Sequence, residues 1–515
     1  MQPKTRPLAH PLALMALLPL AVAIACVRSS PASQGYIPIL TTEVPASTLQ
    51  APAATRNPYL PATRAPGDPI LTPTPDAPRL MPTARTDNES YTVQYGDTLG
   101  KIAQRYGVTL ETLIQANNLA NPNLLEVGVV LDIPAPNPLP PGPDFKIIPD
   151  SELVYGPTTI QFSTADFIQK QGGYLSRHYE EVEDVYHSGA DVVIRVAREY
   201  SVSPRLLLAL LEYQSGWVTQ SNPSETAQNY PMGYINPYYD SLYMQLAWAA
   251  NNLNRGYYLW KANGITGWIL ADGQLVPPAP TLNPGTAGVQ HFFSLLYGQA
   301  DWERAVSDEG LFAVFQNFFG YPFDLAYDPL IPDGLQQPEM QLPFEPGKIW
   351  SFTGGPHGGW GNGSAWAGLD FAPPGDALGC VPSDEWVVAL TDGLILRAEN
   401  GAVVQDLDGD GFEQTGWTIL YMHIETRDRV LAGLPVKAGD QIGHPSCEGG
   451  ISNGTHVHIA RRYNGEWIAA DAGLPFTLDG WVSSGDGIEY NGFLTRDGAS
   501  VEAWDARKDE NQIGR

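Results

Sequence analysis

Residues 452–459 read Ser-Asn-Gly-Thr-His-Val-His-Ile, and this stretch decides how the C-terminal part of the chain folds. His456 and His458 are separated by one apolar residue, and side chains two positions apart on a strand point to the same face. Two imidazoles on one face can bind a metal ion and leave one ring beside it as a base. Taken alone, the stretch could also be a strand that faces solvent.

Four further segments precede this stretch in a recognisable order. They are residues 368–372 (Gly-Leu-Asp-Phe-Ala), 388–393 (Val-Ala-Leu-Thr-Asp-Gly), 421–424 (Tyr-Met-His-Ile) and 436–443 (Val-Lys-Ala-Gly-Asp-Gln-Ile-Gly). Together they resemble the lysostaphin-type zinc metallopeptidases over residues 345–480. That resemblance implies a compact antiparallel all-β domain that hydrolyses peptide bonds in peptidoglycan stems or cross-bridges. It also implies that Asp370 and His458 bind Zn²⁺, with His456 and His423 beside the ion as catalytic residues.

The residue types suggest how such a site would work. Zn²⁺ with three protein ligands lowers the pKa of its water from about 15.7 to about 7 and polarises the scissile carbonyl. His456 would take the proton and pass it to the leaving amine, while His423 stabilises the oxyanion; the two roles are exchangeable.

One position departs from the family pattern. The first metal ligand is usually a histidine four residues before the aspartate, and that position here is Trp366. We expect His357 to replace it, because the glycine-rich residues 358–363 can fold out and return the chain to the site. If His357 does not reach the ion, only two ligands remain and the domain is an inactive relative. His444 has no role in the family pattern, and we interpret it as structural.

Two other features lie in the same region. Cys380 and Cys447 predict one disulfide in an exported protein, and thiolate binding of a metal is the alternative. Carboxylates alternate along residues 406–413 with glycine at the sixth position, at Asp406, Asp408, Asp410 and Glu413. This spacing is typical of calcium loops and predicts Ca²⁺, although the residue at the position of the EF-hand's bidentate glutamate is Trp417. A solvated acidic turn is the alternative.

Residues 150–340 are mainly helical by pattern. Residues 206–217 resemble the helix of lytic transglycosylases and related lysozyme-like folds that ends in Glu-Ser-Gly, where the glutamate protonates the glycosidic oxygen. The matching position here is Gln214, which has no acidic proton. Glu212 lies about 200° away around a helix and faces elsewhere. We therefore expect a noncatalytic lysozyme-like domain, and a glycan-cleaving enzyme is the alternative.

Residues 91–134 follow a strand, helix, helix, strand pattern. They resemble the LysM family, which binds N-acetylglucosamine-containing glycans such as peptidoglycan. The alternative is a small α+β domain that binds protein. By the resemblance, the glycan-binding residues would be Gly96, Asp97, Thr98, Leu99 and Asn118.

The N-terminus has the pattern of an export signal. Lys4 and Arg6 precede an apolar run, residues 12–25, which is too short to span a bilayer comfortably. The run ends in small residues before Cys26 and resembles a bacterial lipobox, so residues 1–25 are predicted to be a lipoprotein signal peptide and Cys26 to be lipidated. Ordinary signal cleavage is the alternative. Residues 26–90 are rich in Pro, Thr and Ala and predict an extended tether.

Length and charge set the outer limits of these interpretations. A chain of 515 residues is too long for one core, and its net charge of -27 argues against nucleic-acid partners. We expect a multidomain cell-envelope protein that is exported and is either lipid-anchored to the outer face of the membrane or secreted. Residues 481–515 are predicted to be a C-terminal extension. Its predicted function is a zinc endopeptidase acting on peptidoglycan. The alternative is a noncatalytic peptidoglycan-binding protein or hydrolase activator.

Overall fold

The computed structural model describes residues 73–81, 87–119, 121, 125–135 and 139–515. The predicted signal peptide, the lipidation site Cys26 and most of the predicted tether lie outside these residues. Residues 73–81 of the tether lie against the helical region, where the Arg79 amide donates to the carbonyl of Pro280 at 3.1 Å. Among the described residues, no helix is both long and apolar enough to cross a membrane.

The N-terminal module is built from two strands and two helices, as predicted. They are β1 (Glu89–Thr92), α1 (Leu99–Tyr106), α2 (Leu110–Ala116) and β2 (Val130–Ile133). The strands pair antiparallel, and the helices bury Leu99, Ile102 and Leu113 against them. Thr109 caps the second helix, its hydroxyl accepting from the Thr112 amide at 3.0 Å. The cap satisfies one of the free amides at the start of that helix.

The middle region is mainly helical. Its elements are α3 (Asp150–Leu153), α4 (Thr164–Gln171), β3 (Tyr179–Val182), β4 (Val185–Ser188), α5 (Gly189–Tyr200), α6 (Pro204–Ser215), α7 (Glu225–Asn229), α8 (Leu242–Lys261), β5 (Trp268–Ile269), β6 (Leu275–Val276), α9 (Pro284–Ser294), α10 (Gln299–Ala305) and α11 (Leu311–Phe319). Helices α8 and α9 pack very closely at Gly256 and Gly288, because a Cβ built on Gly256 would lie 2.8 Å from the Gly288 Cα. This close packing makes α8 the central helix of the region.

The C-terminal region consists of antiparallel strands. They are β7 (Ile349–His357), β8 (Gly368–Ala372), β9 (Val387–Val388), β10 (Gly393–Glu399), β11 (Ala402–Asp406), β12 (Trp417–Met422), β13 (Pro435–Val436), β14 (Gln441–Gly443), β15 (Val457–Tyr463), β16 (Glu466–Trp467), β17 (Thr477–Leu478), β18 (Trp481–Ser484), β19 (Phe493–Arg496), β20 (Ala499–Glu502) and β21 (Gln512–Gly514). The main sheet has the order β13-β10-β11-β12-β15-β8-β7-β21, and β16 pairs with β15.

Both faces of the main sheet are buried. Val403 and Ile419 point into the core of the β region, whereas their neighbours Val404 and Leu420 pack into the core of the helical region. Side chains on a strand alternate between its two faces, so one face carries the β-region core and the other is covered by the helices. Ala460 of β15 also packs into the helical core. His458, two residues earlier on the same strand, therefore faces the side of the sheet that the helical region covers.

Residues 481–515, predicted as a C-terminal extension, are joined to the β region by strand pairing. Strands β18, β19 and β20 form a small sheet together with β17, which lies in the predicted peptidase domain. The last strand, β21, pairs with the start of β7, where Ile513 lies opposite Trp350. Because β7 ends at His357, the final residues of the chain help to fix the strand that leads to this histidine.

Candidate metal centre

Asp370 and His458 are direct neighbours on adjacent strands. They lie opposite each other in the register of β8 and β15, so their side chains project from the same face. Two glycines leave room for them: a Cβ on Gly354 would lie 2.5 Å from Asp370 Oδ2, and one on Gly368 would lie 2.3 Å from His458 Cε1. Any other residue at either glycine would displace one of these side chains.

His357 reaches the same place from the end of β7. After His357 the chain leaves the sheet, and it returns at Gly368, which pairs with His357 across β7 and β8. We call residues 358–367 the glycine excursion. Trp366, at the position of the usual family histidine, lies within it, and the Trp366 carbonyl accepts from the Ala470 amide at 2.7 Å. The excursion thus brings His357 beside Asp370 although 12 residues separate them in the sequence.

Three acceptor atoms converge at this point. His357 Nε2 lies 2.9 Å from His458 Nδ1, and Asp370 Oδ1 lies 3.0 Å from His458 Nδ1. His357 Nε2 is 3.3 Å from the same carboxylate oxygen. All three residues are buried, and their ligand atoms lie within 4.8 Å of one another.

The remaining ring nitrogens show which atoms carry protons. His357 Nδ1 donates to the Gly355 carbonyl at 2.8 Å, and His458 Nε2 donates to the Gly359 carbonyl at 3.1 Å. In the neutral rings, the nitrogens that face Asp370 therefore hold lone pairs. Two imidazole nitrogens and one carboxylate oxygen facing one another, with both rings oriented from behind by carbonyls, match the ligand set of a catalytic zinc site. The residues present fit a Zn²⁺ ion.

The pKa values of the cluster reflect this crowding. Burial favours the neutral forms, but the charge of Asp370 outweighs it and raises the pKa of His357. Burial would also raise the pKa of Asp370, yet the nearby rings of His357 and His456 hold it well below its usual range. Burial lowers the pKa of His458. The carboxylate therefore stays charged and attracts a cation.

His456 and His423 lie beside the three converging side chains. Their ring centroids are 4.4 Å apart, and His456 Nε2 lies 3.8 Å from Asp370 Oδ2. His456 Nδ1 donates to the Gly454 carbonyl at 2.7 Å, and His423 Nδ1 donates to the Glu448 carbonyl at 3.1 Å. In both neutral rings Nε2 is left to exchange a proton. Burial, followed by the adjacent ring of His456, lowers the pKa of His423 to about 3.

A cleft of about 690 Å³ opens over Asp370 and His456. Its far wall comes from the C-terminal residues Tyr490, Trp504 and Arg507. The Tyr490 ring stacks on the imidazole of His357, with centroids 4.2 Å apart and planes 20° apart. The sequence interpretation missed this wall, because the C-terminal residues contain no motif and only strand pairing brings them back to the site.

The predicted disulfide between Cys380 and Cys447 is confirmed. It joins two loops that flank the cleft, and the Val381 amide donates to the Thr455 hydroxyl at 2.9 Å between the same loops. His444, three residues before Cys447, is buried. Its Nδ1 donates to the Glu385 carbonyl at 2.9 Å and its ring packs on Trp386, contacts that fit a structural role.

The predicted calcium residues separate into two groups. Asp406, Asp408 and Asp410 bring carboxylate oxygens within 4.8 Å of one another, but Glu413 does not join them. It lies instead in a buried ion-pair cluster, 2.8 Å from Arg462 and 3.1 Å from Arg397. The structure thus places Glu413 apart from the three aspartates, with its carboxylate paired to two guanidinium groups, and the calcium loop stays a prediction.

The middle region gives Glu212 and Gln214 different surroundings, as the helix geometry predicted. The Glu212 carboxylate accepts from the amides of Val218 and Thr219 at 3.1 and 3.0 Å, which holds the turn after helix α6. Gln214 accepts a hydrogen bond from the Tyr297 hydroxyl. Glu212 is thus bound by backbone amides and Gln214 by a tyrosine hydroxyl.

Four of the five predicted glycan-binding residues, all except Leu99, lie at the surface of the N-terminal module. Gly96 has φ +85°, which a glycine adopts without strain, and the Asp97 carboxylate accepts from the Tyr91 hydroxyl and the Gln94 amide, both at 2.7 Å. Thr98 accepts from the Lys101 amide at 3.2 Å. These bonds shape the turn before helix α1, while Leu99 is buried beneath it. Asn118 lies in the left-handed conformation after helix α2.

Comparison with known proteins agrees with this architecture. The LysM domain family matches residues 91–134, and the family of the LasA N-terminal domain matches residues 146–331. The chain therefore carries a segment that matches the LysM domain and a region similar to protease LasA, and the predicted resemblance to this class is confirmed. The further prediction that the middle region is lysozyme-like remains a prediction.

Individual proteins are similar to parts of the chain. Protease LasA of Pseudomonas aeruginosa (strain UCBPP-PA14) is 25% identical over 296 residues, which cover 52% of this chain and 65% of LasA. The N-acetylmuramoyl-L-alanine amidase XlyA of Bacillus subtilis (strain 168) is 32% identical over 106 residues, 21% of this chain and 35% of the amidase. The M23 metalloprotease pseudoalterin is 24% identical with a TM-score of 0.27, covering 33% of this chain and 96% of pseudoalterin. The chain thus spans only part of both curated relatives.

Proposed function

We propose that the chain is a zinc-dependent endopeptidase that cleaves peptide bonds in the stems or cross-bridges of peptidoglycan. One observation carries the proposal: three buried acceptor atoms, from His357, Asp370 and His458, face one another within 4.8 Å, and Asp370 lines a cleft together with His456. A cation between them satisfies all three at once. The likeness to protease LasA supports a peptidase rather than a purely structural metal site.

His357 Nε2, Asp370 Oδ1 and His458 Nδ1 would hold the ion. When bound, Zn²⁺ supplies a Lewis acid that lowers the pKa of a water molecule and polarises the scissile carbonyl. The carbonyls of Gly355 and Gly359 orient the two imidazoles from behind, at 2.8 and 3.1 Å. A hydrogen bond of this kind fixes the tautomer of the ring and raises its basicity toward the metal.

His456 and His423 would move the proton. The Nδ1 atom of each ring donates to a backbone carbonyl, so Nε2 of each ring is available to the reacting groups. His456 Nε2 would take the proton of the attacking water and deliver it to the leaving amine. His423 would stabilise the developing oxyanion in the tautomer that carries the proton on Nε2, which gives up the Nδ1 hydrogen bond to the Glu448 carbonyl. The two roles are exchangeable, since the ring centroids are only 4.4 Å apart. A positive charge on one ring opposes protonation of the other.

The N-terminal part of the chain would supply the targeting. The LysM domain would bind the glycan of peptidoglycan through the surface around Gly96, Asp97, Thr98 and Asn118. A lipid on Cys26 and the proline-rich tether would hold the enzyme at the outer face of the membrane. Deleting residues 91–134 should then weaken pull-down with purified peptidoglycan while leaving cleavage of a soluble muropeptide unchanged.

The test of the peptidase proposal uses the purified full chain on purified peptidoglycan, with the products identified by mass spectrometry. We expect peptide-cleaved muropeptides to be released, release to stop with a chelator, and added Zn²⁺ to restore it. His458→Ala should abolish release, whereas His187→Ala, which removes a histidine from strand β4, should leave it intact.

Two results would change the assignment. A chain that binds no Zn²⁺, or stays inactive after Zn²⁺ is added, would contradict the peptidase and favour the noncatalytic wall-binding protein or hydrolase activator. New reducing or anhydro sugar ends that survive His458→Ala would instead favour glycan cleavage by the middle region.

A further inference from the structure

Helix α8 of the helical region contacts the glycine excursion directly. Asn251 Oδ1 accepts from the Gly363 amide at 2.9 Å, and Asn251 Nδ2 donates to Asn362 Oδ1 at 2.7 Å. The two backbones also touch, because a Cβ on Gly363 would lie 1.8 Å from the Asn251 carbonyl oxygen. One side chain of the helical region therefore makes two hydrogen bonds to the loop that separates His357 from Asp370.

The start of the excursion is also held by the helical region. Gly359 packs directly against the Trp467 ring, because a Cβ built on Gly359 would lie 2.7 Å from Trp467 Cε3. The Trp467 amide in turn donates to the hydroxyl of Tyr258, on α8, at 2.9 Å. Trp360 packs edge-on against Tyr200 of α5, with ring centroids 6.4 Å apart. The excursion is thus packed between the helical region and the sheet.

The excursion bears on both histidines of the candidate metal centre. It begins immediately after His357, and its Gly359 carbonyl accepts the proton of His458 Nε2. A carbonyl in this position decides which ring nitrogen faces the ion and how the ring is turned. A residue that holds the excursion in place therefore also holds the orientation of His458, even though that residue is not itself a metal ligand.

We propose that Asn251 is a positioning residue for the metal centre. Its side chain holds the excursion against helix α8. The excursion in turn fixes the position of the Gly359 carbonyl, which orients His458, and the end of strand β7, which carries His357. The helical region is then a working part of the peptidase site rather than a spacer. This inference rests on the proposed function, since it assumes that the three side chains hold zinc.

The test compares Asn251→Ala with Asn252→Ala in the full chain. Asn252 is the next residue on α8, equally half-buried, and its side chain donates to the Trp248 carbonyl of the same helix. We expect Asn251→Ala to weaken Zn²⁺ affinity by about tenfold, the lower end of the range for groups that support metal ligands. The absorption bands of the Co²⁺-substituted protein should shift, and kcat for muropeptide cleavage should fall while KM stays constant. Asn252→Ala should match the wild type in all of these measurements.

Two further variants keep the test decisive if Asn251→Ala unfolds. Asn362→Ala removes a partner on the excursion without touching the helix, and it should cause a smaller loss of Zn²⁺ affinity in the same direction. Asn251→Asp keeps an acceptor for the Gly363 amide, and it should restore part of the affinity that Asn251→Ala loses.

Two outcomes would overturn the inference, and they are distinguishable. If the wild type binds Zn²⁺ and cleaves muropeptides but Asn251→Ala and Asn362→Ala show the same Zn²⁺ affinity and Co²⁺ spectrum, only the role of Asn251 fails. If the wild type itself binds no Zn²⁺, the proposed function fails, and the inference fails with it.

Discussion

The helical region and the antiparallel β region share a hydrophobic core but use their buried polar side chains differently. In the helical region such groups either pair with a complementary partner, as Arg205 does in donating to Glu152 at 2.8 Å, or stand singly without one, as His291 Nε2 does. In the β region, His357, Asp370 and His458 turn acceptor atoms toward one another. Buried polar groups are normally paired within the protein, so a cluster of facing acceptors points to a ligand. This difference is the reason to propose the metal site in the β region.

The largest effect should separate the two positions that compete for the role of first ligand. His357→Ala removes one of three acceptors, so we expect zinc content to fall close to zero and muropeptide release to drop by about 10³-fold or more. Trp366→Ala, within the same excursion, should keep its zinc. Metal analysis of both purified variants checks this, and zinc retained in His357→Ala would contradict the assignment.

The next effect should separate metal binding from proton transfer. His456→Ala leaves all three proposed ligands in place, so the protein should still bind one Zn²⁺ per chain. Removal of a general acid–base group lowers kcat by about 10²–10⁴-fold, and we expect a loss in this range. Metal analysis and single-substrate kinetics on the same preparation provide the check. Loss of zinc together with activity would instead make His456 a structural part of the centre.

A third effect concerns the contact between the two regions. Glu413 is buried between Arg397 and Arg462 of the sheet, and Arg198 of the helical region lies 3.7 Å away. Burial opposes its charge, but the guanidinium groups of Arg397 and Arg462 lower the pKa of Glu413 to about 2. Glu413→Gln leaves these charges unpaired and should lower the free energy of unfolding by about 3–5 kcal/mol at neutral pH.

The same carboxylate predicts a pH dependence with a definite sign. Its pKa is lower in the folded chain than the ordinary value of 4.5, so its stabilisation is complete above pH 4.5 and is lost as the pH falls toward 2. The loss should be about 3 kcal/mol. Urea unfolding of the wild type and Glu413→Gln at several pH values isolates this contribution as their difference. A difference that does not change with pH would contradict the ion-pair cluster.

The smallest effect should come from Gln214, the position in the helical region that matches the catalytic glutamate of the transglycosylase motif. Gln214→Glu restores the residue type of the transglycosylase motif, but the Tyr297 hydroxyl already donates a hydrogen bond to this side chain. We expect no new reducing or anhydro sugar ends and unchanged peptide cleavage. Sugar-end analysis of digested peptidoglycan checks this. A gain of glycan cleavage would contradict the expectation that the helical region is noncatalytic.

Much of the β region could be predicted from the sequence, because the residues that identify its site lie within short continuous segments. The spacing of His456 and His458 places both rings on one strand face, and the run of glycines after His357 indicates where the chain leaves the sheet. Asp370 followed from the resemblance, and the structure pairs it with His458 in register. Each of these inferences needed only a short segment and the period of a strand.

Contacts between distant segments could not be predicted in the same way. Tyr490 reaches His357 only through strand pairing of the C-terminal residues, and Glu413 meets Arg462 only because β12 and β15 are adjacent. One clue to the helical cover was present: residues 402–404 and 419–422 are continuous apolar runs, a pattern typical of strands buried on both faces. The Asn251 contacts had no local clue, because an asparagine on a helix has many possible partners.

The central claim is that His357, Asp370 and His458 hold one zinc ion. Crystals of the full chain grown with Zn²⁺, measured on both sides of the zinc absorption edge, test it most directly. The account predicts one anomalous peak about 2.0–2.2 Å from His357 Nε2, Asp370 Oδ1 and His458 Nδ1. A map without a peak at these atoms, or with zinc held by other residues, would contradict it.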